Sequence, residues 1–413
     1  MRFCIHRGAE EIGGNCIQVE SQGKSVLLDL GAPLTDGWTV KNALPDVPGL
    51  IDDNNPNLLG IVISHPHADH YGLAVHAHPS IPINIGGEAD KLLRAASAFG
   101  PFSANFVNVI HYKDRKPFSL GPFRITPYLN DHSAFDAYSF LIEADGKRLF
   151  YSGDLRGHGW KKWAFDKLLK DGPKGVDVML LEGTTMGRNS NESIMSESDL
   201  VEPLTESMRE TKGIVLAGFS GQNIDRLVTF YKAALKSGRT FVVDLYIAHL
   251  LHSLGRKSLP NPTNSALRVY LPKRMKMKIV RDKTFDLVEP YKRRRIYPSE
   301  LTRRKDNIVM TFRASMAQDL EAANCLKDGR LIYSMWPGYL ERGSFDLRDW
   351  CGQHGVNFEI SHTSGHAHPN DLSRLVHSLN PTCTVPIHTH SPDKYSGFDS
   401  DVVAIANKQW VSI

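Results

Sequence analysis

The sequence predicts a mixed α/β protein with one domain inserted into another, and three observations carry that expectation. Short apolar runs end repeatedly at a histidine or carboxylate, as in "GIVISHPHADH", "RLFYSGD" and "VPIHTH". After residue 187 the pattern changes to alternating strand-length and helix-length segments, the signature of a parallel sheet. From residue 358 the first texture returns as strand, helix and strand, again with histidines at the polar tips. The outer domain is therefore expected at 1–187 and 358–413, and the inserted one at 188–357.

The chain opens with hairpin-like strands, "FCIHRGAEEIGGNCIQVE" and "KSVLLDLGAPL", broken at Gly-Gly and at Gly31. "NLLGIVISHPHADHYGLAV" reads as a buried strand, a loop and a helix. "FRITPYLNDHSAFDAYSFLIEADGKRLFYSGD" holds three strands, the last two joined at Asp145-Gly146, a strong hairpin-turn pair. "VDVMLLEGTT" is another buried strand ending on a carboxylate. In the inserted region "SESDLVEPLTESMRE" and "NIDRLVTFYKAALKSG" have helical spacing, the second closed by Gly238. "GIVLAG", "TFVVDL", "NIVMTF" and "RLIYSMW" are its strands, and a helix is expected around 316–326.

Of the 413 residues, 41% are apolar and 23% charged, which excludes a disordered chain or a coiled coil. The apolar runs are strand-sized, far short of the roughly twenty residues of a membrane span. The first residues carry Arg2, His6 and Arg7 with no apolar run behind them, so no secretory signal, a cytoplasmic location and no membrane partner are expected. Five scattered cysteines without a C-x-x-C pair argue against disulfides and thiolate zinc, and read as small buried hydrophobes. The 18 histidines, mostly clustered near Asp or Ser, point to a metal site of imidazole and carboxylate.

The net charge of +4 hides a strong asymmetry. Residues 256–305 hold sixteen Lys or Arg against four acids, while the remainder holds 33 basic and 41 acidic residues. A cationic segment on an acidic protein attracts polyanions.

The chemistry concentrates in "SHPHADH". His65 and His67 follow a buried strand at i, i+2, a spacing that lets both imidazoles point to one side of an extended segment. Asp69 and His70 come where the chain turns into a helix and can face a second point a few ångströms away. Together they form half of a dinuclear site suited to ions of the Zn²⁺ or Mn²⁺ type. His132, Asp154 and His388, each at the tip of an expected strand, supply the remaining candidates.

This H-x-H-x-D-H string resembles the signature of the metallo-β-lactamase superfamily, and Asp29 in "LLDLG", His132 in "DHS" and Asp154 in "SGD" extend the match. The resemblance implies an αββα sandwich with two divalent metal ions, most readily zinc, along one edge. It would give His65, His67 and His132 to one metal, and Asp69, His70 and His388 to the other. Asp154 would bridge them, and Asp29 would orient a ligand loop. "LLEGTT", "TSGHA" and "VPIHTH" look like the three added motifs of the β-CASP nucleases, which carry an inserted α/β domain after the first of them; Glu182, His366 and His388 occupy those positions. "GFSGQNIDR" and "LIYSMWPG" are similar to inserted-domain segments of ribonuclease J. The separate C-terminal domain of longer relatives is expected to be absent, since the chain ends 25 residues after His388.

Cutting a phosphodiester needs a nucleophile, neutralised phosphate charge and a proton for the departing oxygen. Asp69 with the metals, and the pair Glu182 and His366, are the catalytic candidates, Glu182 orienting the imidazole and favouring its protonated form. Ser364 and Gly365 sit in a loop whose backbone can approach an anion. His388 at the third motif is, by the resemblance, the RNA-directed variant. The cationic stretch, with Tyr270, Phe285, Tyr291 and Tyr297 interspersed, would line a single-strand channel, Arg293, Arg294 and Arg295 contacting phosphate. The expected activity is two-metal hydrolysis of single-stranded RNA to 5′-phosphate and 3′-hydroxyl ends, endonucleolytic, 5′-exonucleolytic or both, by a monomer or homodimer. Competing readings are a DNA nuclease, a small-molecule metallohydrolase and a non-catalytic RNA-binding subunit. The resemblance would place part of a 5′-phosphate pocket near Ser334, where Trp336 narrows or removes it.

Overall fold

Two tight turns set the register of the first strands. Gln22-Gly23 and Asp145-Gly146 carry positive φ at both positions, the geometry by which a two-residue turn follows strand twist. They join Cys16–Ser21 to Lys24–Leu28 and Ala137–Ala144 to Lys147–Tyr151. The structure, a computed structural model, describes residues 1–52, 56–99, 104–188, 194–263, 266–342 and 345–413. It divides into two units, Met1–Ile194 with Gly365–Ile413, and Met195–Ser364.

The first unit is built on two seven-stranded sheets. One runs in the order Trp410–Ser412, Arg2–Arg7, Cys16–Ser21, Lys24–Leu28, Leu58–Val62, Ile83–Gly86, Val109–Tyr112. The other runs Asp401–Val402, Cys383–Ile387, Val178–Glu182, Lys147–Tyr151, Ala137–Ala144, Phe123–Asn130, Phe118–Leu120. Alternate residues of a strand face opposite sides, and here both sides are buried. Ile5, Val19 and Leu28 of one sheet meet Phe140, Ile142 and Leu180 of the other. Leu27, Ile61 and Ile83 point outward, beneath Ala89 and Leu93 of the helix Gly87–Ser97. Met179 and Leu181 point outward on the second sheet, beneath the helices Lys162–Asp171 and Pro369–Leu379. The result is the αββα sandwich.

The helix Pro369–Leu379 shows how such a layer is specified. Leu372, Leu375, Val376 and Leu379 are fully buried at i, i+3, i+4 and i+7, each stabilising the fold by about 1.5–3 kcal/mol relative to exposure. The side chain of His368 accepts from Asn370 N at the start, Pro369 fills the first turn, and Asn380 at φ +50 ends it.

The second unit holds an all-parallel seven-stranded sheet in the order Arg295–Ile296, Arg268–Tyr270, Thr240–Asp244, Ile308–Thr311, Val215–Gly218, Arg330–Tyr333, Asn357–Ile360. Its helix Ile224–Lys236 starts on Asn223, whose side chain accepts from Arg226 N, and is followed by Gly238 at φ +77. The two ends of this unit are fastened together, since Thr363 Oγ1 donates to the Met195 carbonyl. A cut between 357 and 358 would split the Asn357–Ile360 strand, which pairs into this sheet. The helix expected around 316–326 is shorter, a 3-10 turn followed by Ala317–Ala322. Cys4, Cys16, Cys325 and Cys351 are buried free thiols and Cys383 is half-buried. Among the described residues no helix is long and apolar enough to cross a membrane.

Candidate metal centre

Parallel neighbours deliver their carboxyl ends to one edge. After Leu58–Val62 the chain runs through Ser64 and His65, then enters the short helix Ala68–Tyr71 with His67 in an extended conformation at its start. Asp29, at φ +59, anchors this turn. Its carboxylate accepts from Ser64 N at 2.6 Å, Ser64 Oγ at 2.7 Å, Tyr151 OH at 2.6 Å and His70 Nδ1 at 2.7 Å. The backbone of 30–32 pairs with the helix: Leu30 N donates to His70 O and Ala32 N to Ala68 O, each at 2.9 Å. Gly31 is obligatory there, because a Cβ would stand 1.7 Å from the Asp69 carbonyl oxygen.

Other strand ends bring the rest. His132 follows Phe123–Asn130, Asp154 follows Lys147–Tyr151, Glu182 ends Val178–Glu182 and His388 follows Cys383–Ile387 at φ +51. Asn15 orients His388, its Oδ1 lying 2.9 Å from the ring Nδ1. The structure brings His65, His67, Asp69, His70, His132, Asp154, His366 and His388 into four overlapping triads, each with ligand atoms within 4.8 Å of one another. Asp154 Oδ2 is the hub, 3.2 Å from His70 Nε2, 3.6 Å from His65 Nε2, 3.8 Å from His388 Nε2 and 3.9 Å from His132 Nε2. Asp69 Oδ2 lies 3.8 Å from His70 Nε2 and 3.9 Å from His388 Nε2, and His132 Nε2 lies 3.3 Å from His67 Nδ1.

A polar atom buried without a partner is costly. Here His65 Nε2, His70 Nε2, His388 Nε2 and both Asp154 oxygens are such atoms, all turned toward the same space. Imidazole nitrogens and carboxylate oxygens at this separation fit divalent cations. The electrostatics agree. Burial pushes His65, His132 and His388 down and His67 down to about 4, favouring the neutral, ligating form. Burial also opposes a charged His70, but the carboxylates of Asp154, Asp29 and Asp69 outweigh it and raise its pKa. Burial would raise Asp154, yet His388, His70 and His366 hold it well below the usual carboxylate range.

Glu182 and His366 face each other beside this cluster. Glu182 Oε1 lies 3.3 Å from His366 Nδ1, which is 3.7 Å from Asp154 Oδ2. Glu182 is itself fixed, accepting from Leu155 N at 3.1 Å and Thr184 N at 3.0 Å. Burial disfavours a charged His366, but Glu182 and Asp154 prevail and raise its pKa. Gly365 packs against Ser133, where a Cβ would stand 2.5 Å from the hydroxyl oxygen. Ser364 is half-buried at the end of the second unit.

The cationic segment needs correction. Tyr270 and Tyr291 are 3% and 0% exposed, so neither ring can stack on a base, whereas Phe285 and Tyr297 are 58% and 48% exposed. Of the three arginines, Arg293 is exposed. Arg294 Nε donates to the Thr263 carbonyl at 3.3 Å, and Arg295 lies 4.9 Å over the Tyr297 ring. All three belong to the second unit. Ser334 is buried under Arg226, whose Nη1 donates to its carbonyl at 2.8 Å, and Trp336 packs edge-on against Tyr339. Sequence reading missed Asn15, Tyr151 and the buried Arg226–Glu197 pair; the Asn after Gly13-Gly14 and the Tyr before "SGD" were the available signals.

Comparison with known proteins agrees with this geometry. The profile of the beta-lactamase superfamily domain matches residues 27–212. Ribonuclease J of Mycobacterium tuberculosis (strain CDC 1551 / Oshkosh) is 24% identical over 94% of this chain and 68% of its own length. Ribonuclease J of Corynebacterium glutamicum is 23% identical over 94% of this chain and 53% of its own length, and that of Helicobacter pylori (strain ATCC 700392 / 26695) is 23% identical over 57% and 35%. A crystal structure of a protein of unknown function from Enterococcus faecalis V583 superposes with a TM-score of 0.80, 22% identity and 99% coverage of both chains. Residues 27–212 thus carry a domain of the beta-lactamase superfamily, and the chain is a hydrolase. Over 94% of its length the chain is similar to the ribonucleases J of Mycobacterium tuberculosis and Corynebacterium glutamicum. The superfamily uses divalent metal, and among the described residues the buried His/Asp cluster could hold it.

Proposed function

We propose that the protein is a two-metal ribonuclease that hydrolyses single-stranded RNA to 5′-phosphate and 3′-hydroxyl ends. The observation that carries this reading is the Glu182–His366 pair, 3.3 Å apart, set 3.7 Å from Asp154 at the edge of the ligand cluster. His65, His67 and His132 would hold one cation, and Asp69, His70 and His388 the other, with Asp154 between them. Two bound divalent cations, zinc before manganese, supply an acidified water at neutral pH and charge neutralisation on the phosphate.

The chain's own groups do the rest. His366, one-fifth exposed, stays protonated against Glu182 and gives its proton to the departing 3′ oxygen. Glu182, locked by two backbone amides, keeps the ring turned toward the reacting phosphate. The backbone at Ser364 and Gly365 lies beside a non-bridging oxygen. Arg293 to Arg295 and Phe285 serve the strand outside the centre, and the protein works in the cytoplasm.

End-labelled RNA and DNA, each with a 5′-phosphate or a 5′-hydroxyl, test this with intact protein and with His366→Ala. Expected are cleavage of RNA over DNA, loss of cleavage with chelator, and an alanine variant that binds RNA but turns over roughly 10²–10⁴-fold more slowly. Preference for DNA moves the reading to a DNA nuclease, and equal cutting by the variant removes His366 from the mechanism. Dependence on the 5′ group separates exonucleolytic from endonucleolytic action.

A further inference from the structure

Residues 156–161 form a loop pinned beside the turn that carries His132, and lead into the helix Lys162–Asp171. Asp131 holds it at three points: its carbonyl accepts from Arg156 N at 2.7 Å, its Oδ2 accepts from Gly159 N at 2.6 Å, and its Oδ1 lies 3.5 Å from Arg156 Nε. Asp131 and Arg156 are both fully buried, so this is a fixed post within the fold. Gly159 admits no side chain, since a Cβ would stand 2.2 Å from Asp131 Oδ1 and 2.5 Å from Arg156 Nη2. The loop therefore holds the residues after Gly159 in one position.

Lys161 is the first charged side chain beyond that post. Its Nζ donates to the carbonyl oxygen of His132 at 3.2 Å and lies 5.8 Å from the centre of the Phe135 ring. The adjacent Lys162 is committed to Asp166 at 2.6 Å, and the first turn of its helix carries no acid. Trp163, on that same turn, leaves 55% of its surface exposed, although a tryptophan is normally well buried. An ammonium held next to the turn of His132 and an exposed indole two residues on are the kinds of group that bind a single strand, one for phosphate and one for a base.

We propose that Lys161 binds a backbone phosphate of the RNA beside the metal centre, and that Trp163 is the surface on which a neighbouring base stacks. This rests on the ribonuclease reading above. Because the Asp131–Arg156 post holds the loop already, the strand meets a charge that needs no ordering, which favours affinity. The competing role for Lys161 is purely structural, as a prop under His132, and the two roles predict different kinetics.

The test is steady-state cleavage of single-stranded RNA by the metal-loaded protein at several salt concentrations, with binding of a cleavage-resistant phosphorothioate RNA in parallel. Lys161→Ala and Lys161→Gln are expected to raise KM about tenfold with kcat within about twofold of wild type. Both should also make the slope of log Kd against log salt shallower by about 0.7, the loss of one phosphate contact on a single strand. Lys161→Arg should restore both. Trp163→Ala is expected to raise KM about tenfold with the wild-type salt slope, because stacking releases no counterions. Unchanged KM and slope in the Lys161 variants overturn the proposal. So does lost metal or lost kcat at unchanged KM, which assigns Lys161 to propping His132. Wild-type protein that neither binds nor cuts RNA overturns the ribonuclease reading and this proposal with it; wild-type cutting with indifferent variants overturns this one alone.

Discussion

Oδ2 of Asp29 lies 2.7 Å from Nδ1 of His70. A carboxylate can only accept, so Nδ1 carries a proton, and Nε2, 3.2 Å from Asp154, is the nitrogen left to ligate a cation once it gives up its own proton. One buried acid thus sets the tautomer of a candidate ligand and, through Ser64, the turn that carries the others.

Asp29→Asn is accordingly expected to fold and to bind divalent metal about 10–100-fold more weakly. Competition with a chromophoric chelator measures this. Wild-type affinity in a well-folded variant would remove Asp29 from the support of the site.

Gly31→Ala should be more damaging than its size suggests. The new methyl would collide with the backbone of Asp69 and His70, atoms it would meet at 1.7 to 2.9 Å, so the helix carrying both residues must shift. The expected outcome is fewer bound metal ions per chain by elemental analysis, with the sheets intact by circular dichroism. Full metal content would show that the helix can move without cost.

Arg226 and Glu197 are both fully buried, paired at 3.0 Å, and Arg226 also donates to the carbonyls of Ser334 and Thr363. Removing one partner of such a pair typically destabilises by about 3–5 kcal/mol. Arg226→Met should therefore lower the denaturation midpoint of the second unit sharply, and adding Glu197→Leu should recover part of the loss. Equal midpoints for the single variant and wild type would refute a structural role.

The two kinds of aromatic in the cationic segment should separate cleanly. Tyr291→Ala removes a fully buried ring and is expected to cost about 3–5 kcal/mol of stability. Phe285→Ala should change stability by no more than about 0.5 kcal/mol while weakening RNA binding. Binding titrations and denaturation on both variants check this, and the reverse pattern would contradict the burial.

Glu182→Gln keeps the shape but removes the charge that favours a protonated His366. A fall in kcat of about 10²–10⁴-fold with unchanged metal content is expected. An unaffected rate would make Glu182 a mere anchor for the Leu155 and Thr184 amides.

The strands and the ligand candidates were legible because their signals are local. His65 and His67 follow one apolar run, Asp154 another and His388 a third, and each run is buried on both faces, so its polar tip stands out. Asn15 and Tyr151 were not, because their roles depend on strands lying side by side: Asn15 meets His388 across 373 positions of sequence. Tyr270 and Tyr291 were misread for the same reason. Tyr291 is covered by the helix Leu245–Leu254, packing against His252 and reaching the Ala248 carbonyl, and no property of "EPYKRRR" encodes that cover. The parallel sheet of the second unit was readable from alternation alone, whereas the Arg226–Glu197 pair joins an ordinary amphipathic helix to a turn 29 positions earlier.

The bond from Thr363 to Met195 has an evolutionary corollary. A module whose two ends touch can be spliced into a surface loop of another protein while requiring only a small gap in the recipient. Excising it and bridging the gap with a short flexible peptide should leave the recipient sandwich able to fold, and a circular permutant opened elsewhere in the module should close its old termini with a few residues.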